Sequence, residues 1–185
     1  MTDREALESL LRERSISYGD FVLASGARSS YYIDARKTTM SAEGLRLIGQ
    51  VGLALIRDAG WRPAAVGGLT LGADPIAYAI ARASTDSPPV IDAFTVRKAA
   101  KEHGLQRRVE GNFEPGSEVV VVEDVITSGT SALEAIDAIQ AAGGRVVGVL
   151  GVVDREQGGR AAIESAGLEV VVITTTTALG VTSTR

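Results

Sequence analysis

The sequence predicts a three-layer α/β domain: a mainly parallel sheet flanked by helices, with a small N-terminal hood. Three observations carry that prediction. Short β-branched runs alternate with helix-length amphipathic stretches along most of the chain, the pattern of strand–helix–strand crossovers. One run, Val119-Val120-Val121-Val122, shows no polar alternation, so it suits a strand covered on both faces. The 185 residues are 45% hydrophobic and 23% charged, which fits one globular domain with a substantial core. No linker, repeat or low-complexity block divides residues 1–185, and the hood falls mainly within about 1–40.

Taken in order, residues 3–14 put Leu7, Leu10 and Leu11 on one side of a charged stretch, a short amphipathic helix. Residues 21–23 and 31–34 are β-prone and flank a small polar turn, which reads as a hairpin carrying Tyr31 and Tyr32. Ser41 is placed to cap a helix reaching about residue 58, with Leu45, Ile48, Val51, Leu55 and Ile56 on its apolar face, and Gly60 stops it. Residues 64–68 form a short buried strand. They lead through Leu69-Thr70-Leu71-Gly72 to a helix over 76–83, with Asp74 as its expected N-cap and Pro75 in its first turn. Strands follow over 90–96, 119–122 and 145–153, the last ending in Asp154-Arg155 and a Gly158-Gly159 turn. A helix over about 160–166 leads to a strand over 168–173. Residues 174–185 are threonine-rich without an interpretable motif and are expected to be a tail or a weak final element.

The chemistry concentrates after the valine run. Glu123 and Asp124 stand at the expected strand end, followed by Val125, Ile126, Thr127, Ser128, Gly129, Thr130 and Ser131. A helix then shows Leu133, Ile136 and Ile139 at helical spacing. A helix N-terminus carries unpaired N–H groups and partial positive charge, so a small-residue turn leading into it can enclose a phosphate. The hydroxyls add donors, and Gly129 lets the backbone approach closely. Carboxylates repel phosphate; they suit sugar hydroxyls as acceptors, or a divalent cation held directly or through water. A ribose phosphate satisfies both halves.

Composition removes several other classes. Zero cysteines exclude disulfides and thiolate metal sites and fit a reducing, cytoplasmic setting. The charged residues 2–5 are not followed by a signal-peptide apolar core, and the longest nearly apolar run, 146–153, is far short of the ~18–20 residues of a membrane span. Net charge −4 argues against general nucleic-acid binding. One local anomaly stands out: residues 97–108 hold five of the nineteen basic residues and the single histidine. A basic run placed after a strand of a parallel sheet, at the edge where ligands bind, suits a loop that closes over a polyanion.

The stretch 119–131 resembles the 13-residue signature for phosphoribosyl pyrophosphate (PRPP) of type I phosphoribosyltransferases: four apolar residues, two acids, then a Thr-Ser-Gly-Thr phosphate loop. The fold that this resemblance implies is the three-layer type I phosphoribosyltransferase fold. Residues 97–104, Arg97-Lys98-Ala99-Ala100-Lys101-Glu102-His103-Gly104, resemble the basic catalytic loop of that family. The hood resembles that of orotate phosphoribosyltransferases at Phe21, Leu23, Ser25, Gly26, Ser29, Tyr31, Tyr32 and Asp34. Ala24 stands where many members carry lysine, Ala27 where arginine is common, with Arg28 one place later, and Gly72 where a lysine often precedes a glycine.

The resemblance implies transfer of the ribose 5-phosphate of PRPP to N1 of orotate, giving orotidine 5′-monophosphate and pyrophosphate, a step of UMP biosynthesis. It assigns Arg97, Lys101 and His103 to catalysis at the leaving group. PRPP binding falls to Arg97, Lys98, Lys101 and His103 with Glu123, Asp124 and residues 125–131. Orotate binding falls to Thr127, Arg155, Tyr31 and Tyr32, with the tyrosines as an aromatic wall and Arg155 on the carboxylate. It implies Mg²⁺ carried on PRPP without a direct protein ligand, and a homodimer whose basic loop is shared between subunits. A phosphoribosyltransferase for adenine or xanthine and a non-catalytic PRPP-binding regulator are the rivals. The hood and Arg155 weigh against the first, the intact basic loop against the second. A generic nucleotide site is disfavoured because neither Gly-x-x-x-x-Gly-Lys-(Ser/Thr) nor Gly-x-Gly-x-x-Gly occurs.

Overall fold

The computed structural model describes residues 1–22, 26, 28–99 and 108–181. The first helix, α1 (Asp3–Arg14), starts at a capping box: Glu5 N–H donates to Thr2 Oγ1, and Thr2 N–H donates to the Glu5 carboxylate. Leu7 and Leu11 are its buried residues. An antiparallel pair, β1 (Ile16–Val22) and β2 (Arg28–Ile33), forms the hood, with Tyr18 opposite Tyr31. This pair begins earlier than the expected 21–23, because Ile16 and Ser17 pair with Ile33 and Tyr32 across weak strand formers at Gly19 and Asp20. A single turn, α2 (Arg36–Thr39), which the sequence did not announce, leads to α3 (Ala42–Asp58), capped by Ser41 through Gly44 N–H as expected.

The remaining elements are β3 (Ala65–Leu69), α4 (Ala73–Ser84), β4 (Asp92–Val96), β5 (Val109–Gly111), β6 (Glu118–Ile126), α5 (Thr130–Ala141), β7 (Arg145–Asp154), α6 (Gly159–Ser165) and β8 (Val170–Thr175). One six-stranded sheet has the order β5-β4-β3-β6-β7-β8, parallel except for the β4–β5 pair. The valine run is buried on both faces. Val120 and Val122 join the core under α1, α3 and α4, while Val119 and Val121 join the core under α5 and α6.

Three expectations need correction. Glu123 and Asp124 lie inside β6, not at its end, because β7 is long enough to carry the ladder to Ile126 opposite Asp154. Asp74 does not cap α4. Gly72 is the N-cap, with no side-chain bond, and the Asp74 carboxylate is occupied by the Thr70 and Thr95 hydroxyls at 2.6 and 2.5 Å. The threonine-rich segment, expected as a tail or a weak final element, begins inside the sheet: Thr174 and Thr175 end β8, and Thr174 and Thr176 are buried, while residues 182–185 lie outside the described residues.

The strand order places the functional centre. From β3 the chain crosses through α4 to β4 on one side, whereas from β6 it crosses through α5 to β7 on the other. The crevice between the C-terminal ends of β3 and β6 is therefore a switch point, where an open α/β sheet leaves room for a ligand.

Candidate active site

Side-chain alternation along β6 aims its two acids at different helices. Glu123 shares the face of Val119 and Val121 and lines a small cavity with residues 125–132 at the start of α5. Asp124 shares the face of Val120 and Val122 and lies against the start of α4: a Cβ added at Gly72 would sit 2.6–2.7 Å from its carboxyl atoms. Any side chain at 72, lysine included, would displace Asp124. Each carboxylate thus faces a different helix N-terminus, with the crevice between.

The cavity over Glu123 has a volume of 80 Å³, several times the ~10–15 Å³ that one water requires, and it suits a tetrahedral oxyanion. Its rim is backbone. Gly129 sits at φ 80° as N-cap of α5, and Ser128 and Thr130 hydroxyls lie 2.9 Å apart beside it. The loop packs directly on α6. A Cβ at Gly129 would meet the Gly159 carbonyl oxygen at 2.8 Å, one at Gly159 would meet Thr127 O at 2.5 Å, and Gly159 N–H donates to Thr127 O at 3.0 Å. Gly159 is a support that sequence reasoning passed over; its only signal was the Gly158-Gly159 pair after Asp-Arg.

Glu123 is buried and its Oε2 has no hydrogen-bond partner among the described residues. Burial, then the neighbouring Asp124 charge, pushes its carboxyl up to about 9, with Lys98 acting in the opposite direction. At neutral pH Glu123 is therefore a neutral acid beside Asp124, able to donate a hydrogen bond as well as accept one.

Of the basic residues, Lys98 is close enough to act on Glu123. Arg97 pairs with Glu110 at 3.6 Å, and its N–H donates to Arg108 O at 2.8 Å. Arg108 returns a bond from Nε to Arg97 O at 3.1 Å and reaches Glu134 of α5 at 2.5 Å, tying the neck of the basic segment to the helix that starts at the phosphate loop. That tie was invisible in the sequence, where Arg108 counted only as charge. Lys101 and His103 lie outside the described residues, as do Leu23, Ala24, Ser25 and Ala27.

The hood and β7 supply the other side. Because Ile126 pairs with Asp154, Arg155 stands beside Thr127, and Arg155 N–H donates to Ile126 O at 2.9 Å. The Arg155 side chain is buried, and its Nε and Nη2 have no partner among the described residues. Its Cζ lies 5.0 Å from the centre of the Tyr31 ring, a cation–π contact. The expected two-tyrosine wall takes a different form. Tyr31 is 4% exposed and its ring meets Arg155, whereas Tyr32 is 42% exposed and packs on Phe21 with ring centres 5.7 Å apart. Adjacent residues of β2 point to opposite faces, so the two rings cannot form one surface.

A small hydroxyl- and glycine-lined cavity at a helix N-terminus, two adjacent acids and a buried arginine at one switch point have the makings of a ribose-phosphate site. The family described as "Phosphoribosyl transferase domain" matches residues 43–174, and the chain belongs to the phosphoribosyltransferases. Within them its similarity runs to orotate phosphoribosyltransferases. That of Aquifex aeolicus is 47% identical over 171 residues, covering 91% of this chain and 92% of the relative. A crystal structure of the Mycobacterium tuberculosis orotate phosphoribosyltransferase with Fe(III) dicitrate superposes with TM-score 0.87 at 46% identity, covering 97% of this chain and 99% of the other. Another of that enzyme, in complex with PRPP, gives 0.82 at 41% identity with the same coverage.

Proposed function

We propose that this chain is a Mg²⁺-dependent orotate phosphoribosyltransferase of UMP biosynthesis. The observation that carries the reading is the β6–β7 register, which sets buried Arg155, whose Nε and Nη2 have no hydrogen-bond partner among the described residues, immediately beside Thr127 of the proposed phosphate cradle. A planar guanidinium with free donors suits a carboxylate, and the cradle fixes the sugar phosphate whose anomeric carbon the base must reach.

In the reaction the bond from the anomeric carbon to the diphosphate oxygen breaks, and its electron pair leaves with pyrophosphate. N1 of orotate forms the new bond with the electron pair of its N–H bond, and the proton released leaves with the pyrophosphate. Residues 125–131 hold the 5-phosphate through N–H groups and hydroxyls. Asp124 accepts from a ribose hydroxyl, and protonated Glu123 donates to its neighbour. Thr127 and Arg155 orient orotate, with Tyr31 behind Arg155 and Tyr32 at the rim. Arg97, Lys98, Lys101 and His103 neutralise charge gathering on pyrophosphate, the stabilisation the transition state requires. No protein nucleophile is involved.

Mg²⁺ would be carried on the diphosphate oxygens of PRPP, with the Asp124 carboxylate, which lies against the start of α4, as the acidic group beside it. When bound, it supplies further charge neutralisation at the leaving oxygens. The reading includes a cytoplasmic homodimer that shares the basic loop across subunits. The absence of cysteine supports a reducing compartment, and no described helix is long and apolar enough to cross a membrane.

Incubation with PRPP and Mg²⁺ plus orotate, uracil, adenine or xanthine, followed by base absorbance, tests the assignment. Orotate should be consumed fastest, with uracil turned over only weakly; consumption of a purine instead would refute the assignment. Lys101→Ala should depress turnover by about 100-fold or more while leaving the melting temperature nearly unchanged, consistent with loss of one charge at the transition state.

A further inference from the structure

The turn that carries Arg155 is built unusually. Glu156 has φ 57°, the only non-glycine residue at positive φ among the described residues, and it is solvent-exposed, so packing does not impose that conformation. Its own side chain holds it. The Glu156 carboxylate accepts from Thr177 N–H at 2.7 Å and from the Thr176 hydroxyl at 2.8 Å. Buried Thr176 spans the turn: its N–H donates to Asp154 O at 2.9 Å, and its hydroxyl proton is shared with Arg155 O at 3.2 Å. From inside the turn, Asp154 Oδ1 accepts from Glu156 N–H at 2.8 Å. Every residue flanking Arg155 is thereby fixed, while the Arg155 Nε and Nη2 are kept free for a ligand.

We propose that Glu156 and Thr176 are positioning residues, a clamp between the turn after β7 and the residue after β8 that sets the direction of the Arg155 fork and with it the preference for a base bearing a carboxylate. This rests on the reading of Arg155 as the carboxylate-binding group. Neither residue touches substrate in the proposed site. Their effect passes through the Arg155 backbone, since a rotation there swings a guanidinium several bonds away out of register with a planar partner. Hydrogen bonds from Thr177 and Thr176 hold the Glu156 carboxyl below its ordinary range, so the clamp stays ionised at neutral and mildly acidic pH.

Steady-state kinetics on the full chain, with orotate and with uracil as a base lacking the carboxylate, test the clamp. Thr176→Val should raise the KM for orotate about tenfold, the loss expected for charge-assisted hydrogen bonds that orient a binding group. The KM for PRPP should stay within about twofold, and the weak activity on uracil should not change. Thr176→Ser should restore orotate binding. Glu156→Asn, which tolerates positive φ but is too short to reach Thr177, should reproduce the defect at an exposed position and decides the matter if Thr176→Val folds poorly. Equal losses toward orotate and uracil, or no loss in either variant, would overturn the clamp. Arg155→Ala is the control on the premise: an unchanged orotate KM there would overturn the carboxylate assignment, whatever the clamp variants do.

Discussion

The two sides of the site are made of different material. The side proposed to hold phosphate is one contiguous run, residues 123–131, whose shape comes from backbone: a left-handed glycine, a helix N-terminus and a neighbouring glycine packed against both. The side proposed to hold the base is assembled from Tyr31 in the hood, Arg155 after β7 and Thr176 after β8, joined by side chains and a turn. Backbone construction leaves almost no room for added atoms but depends little on side-chain chemistry. Side-chain construction tolerates substitution and changes preference gradually. A scaffold built this way can keep one phosphate site and vary the base.

The sharpest test of that contrast is Gly129→Val. A β-branched residue at φ 80° is strained by about 1–2 kcal/mol, and its Cβ would be 2.8 Å from Gly159 O. The loop must move, and kcat/KM for PRPP should fall by about 100-fold or more, read by kinetics and by calorimetric titration with PRPP. Retained PRPP affinity would break the backbone account. Gly72→Ala is the milder version on the opposite helix. Here the obstructing group is the Asp124 carboxylate, which can rotate, so a rise of about tenfold in the KM for PRPP with orotate KM unchanged is expected.

The same division governs what could be read from the sequence. The phosphate side was legible because its residues are consecutive and their order encodes strand, acids, turn and helix. Even there, the burial of Glu123 and the separate orientations of the acids emerged only once β7 extended the ladder through them. On the base side, Arg155 was recognisable but its surroundings were not. Tyr31 sits 124 positions before it and Thr176 follows a whole helix and strand later, and neither spacing carries a periodic signal. The edge strand β5, three residues long, was likewise too short to show a pattern.

Tyr31 measures the softness of the base side. Tyr31→Phe keeps the ring over Arg155 and should leave the KM for orotate within about twofold. Tyr31→Leu removes a cation–π contact of about 1–2 kcal/mol at a desolvated site and should raise that KM roughly five- to thirtyfold. The KM for PRPP should not follow. If Phe and Leu behave alike, the ring face is irrelevant and Tyr31 serves packing alone.

The last effect is one on stability rather than turnover and concerns Glu123, where the two sides meet. Its carboxyl lies near 9 in the fold, against 4.5 for the free side chain, so between those values the folded chain holds a proton that the unfolded chain has released. Stability contributed by this group is complete below about pH 4.5, declines as pH rises through the window, and levels off above 9. Glu123→Gln has the same shape and no proton to lose. Its melting temperature should match the parent near pH 5 and exceed it progressively towards pH 8.5, by about 10 °C or more if the whole shift is realised. Parallel melting profiles across that range would mean that Glu123 is ionised in the empty site, and the hydrogen bond it is expected to donate to ribose would have to be replaced by a second acceptor role.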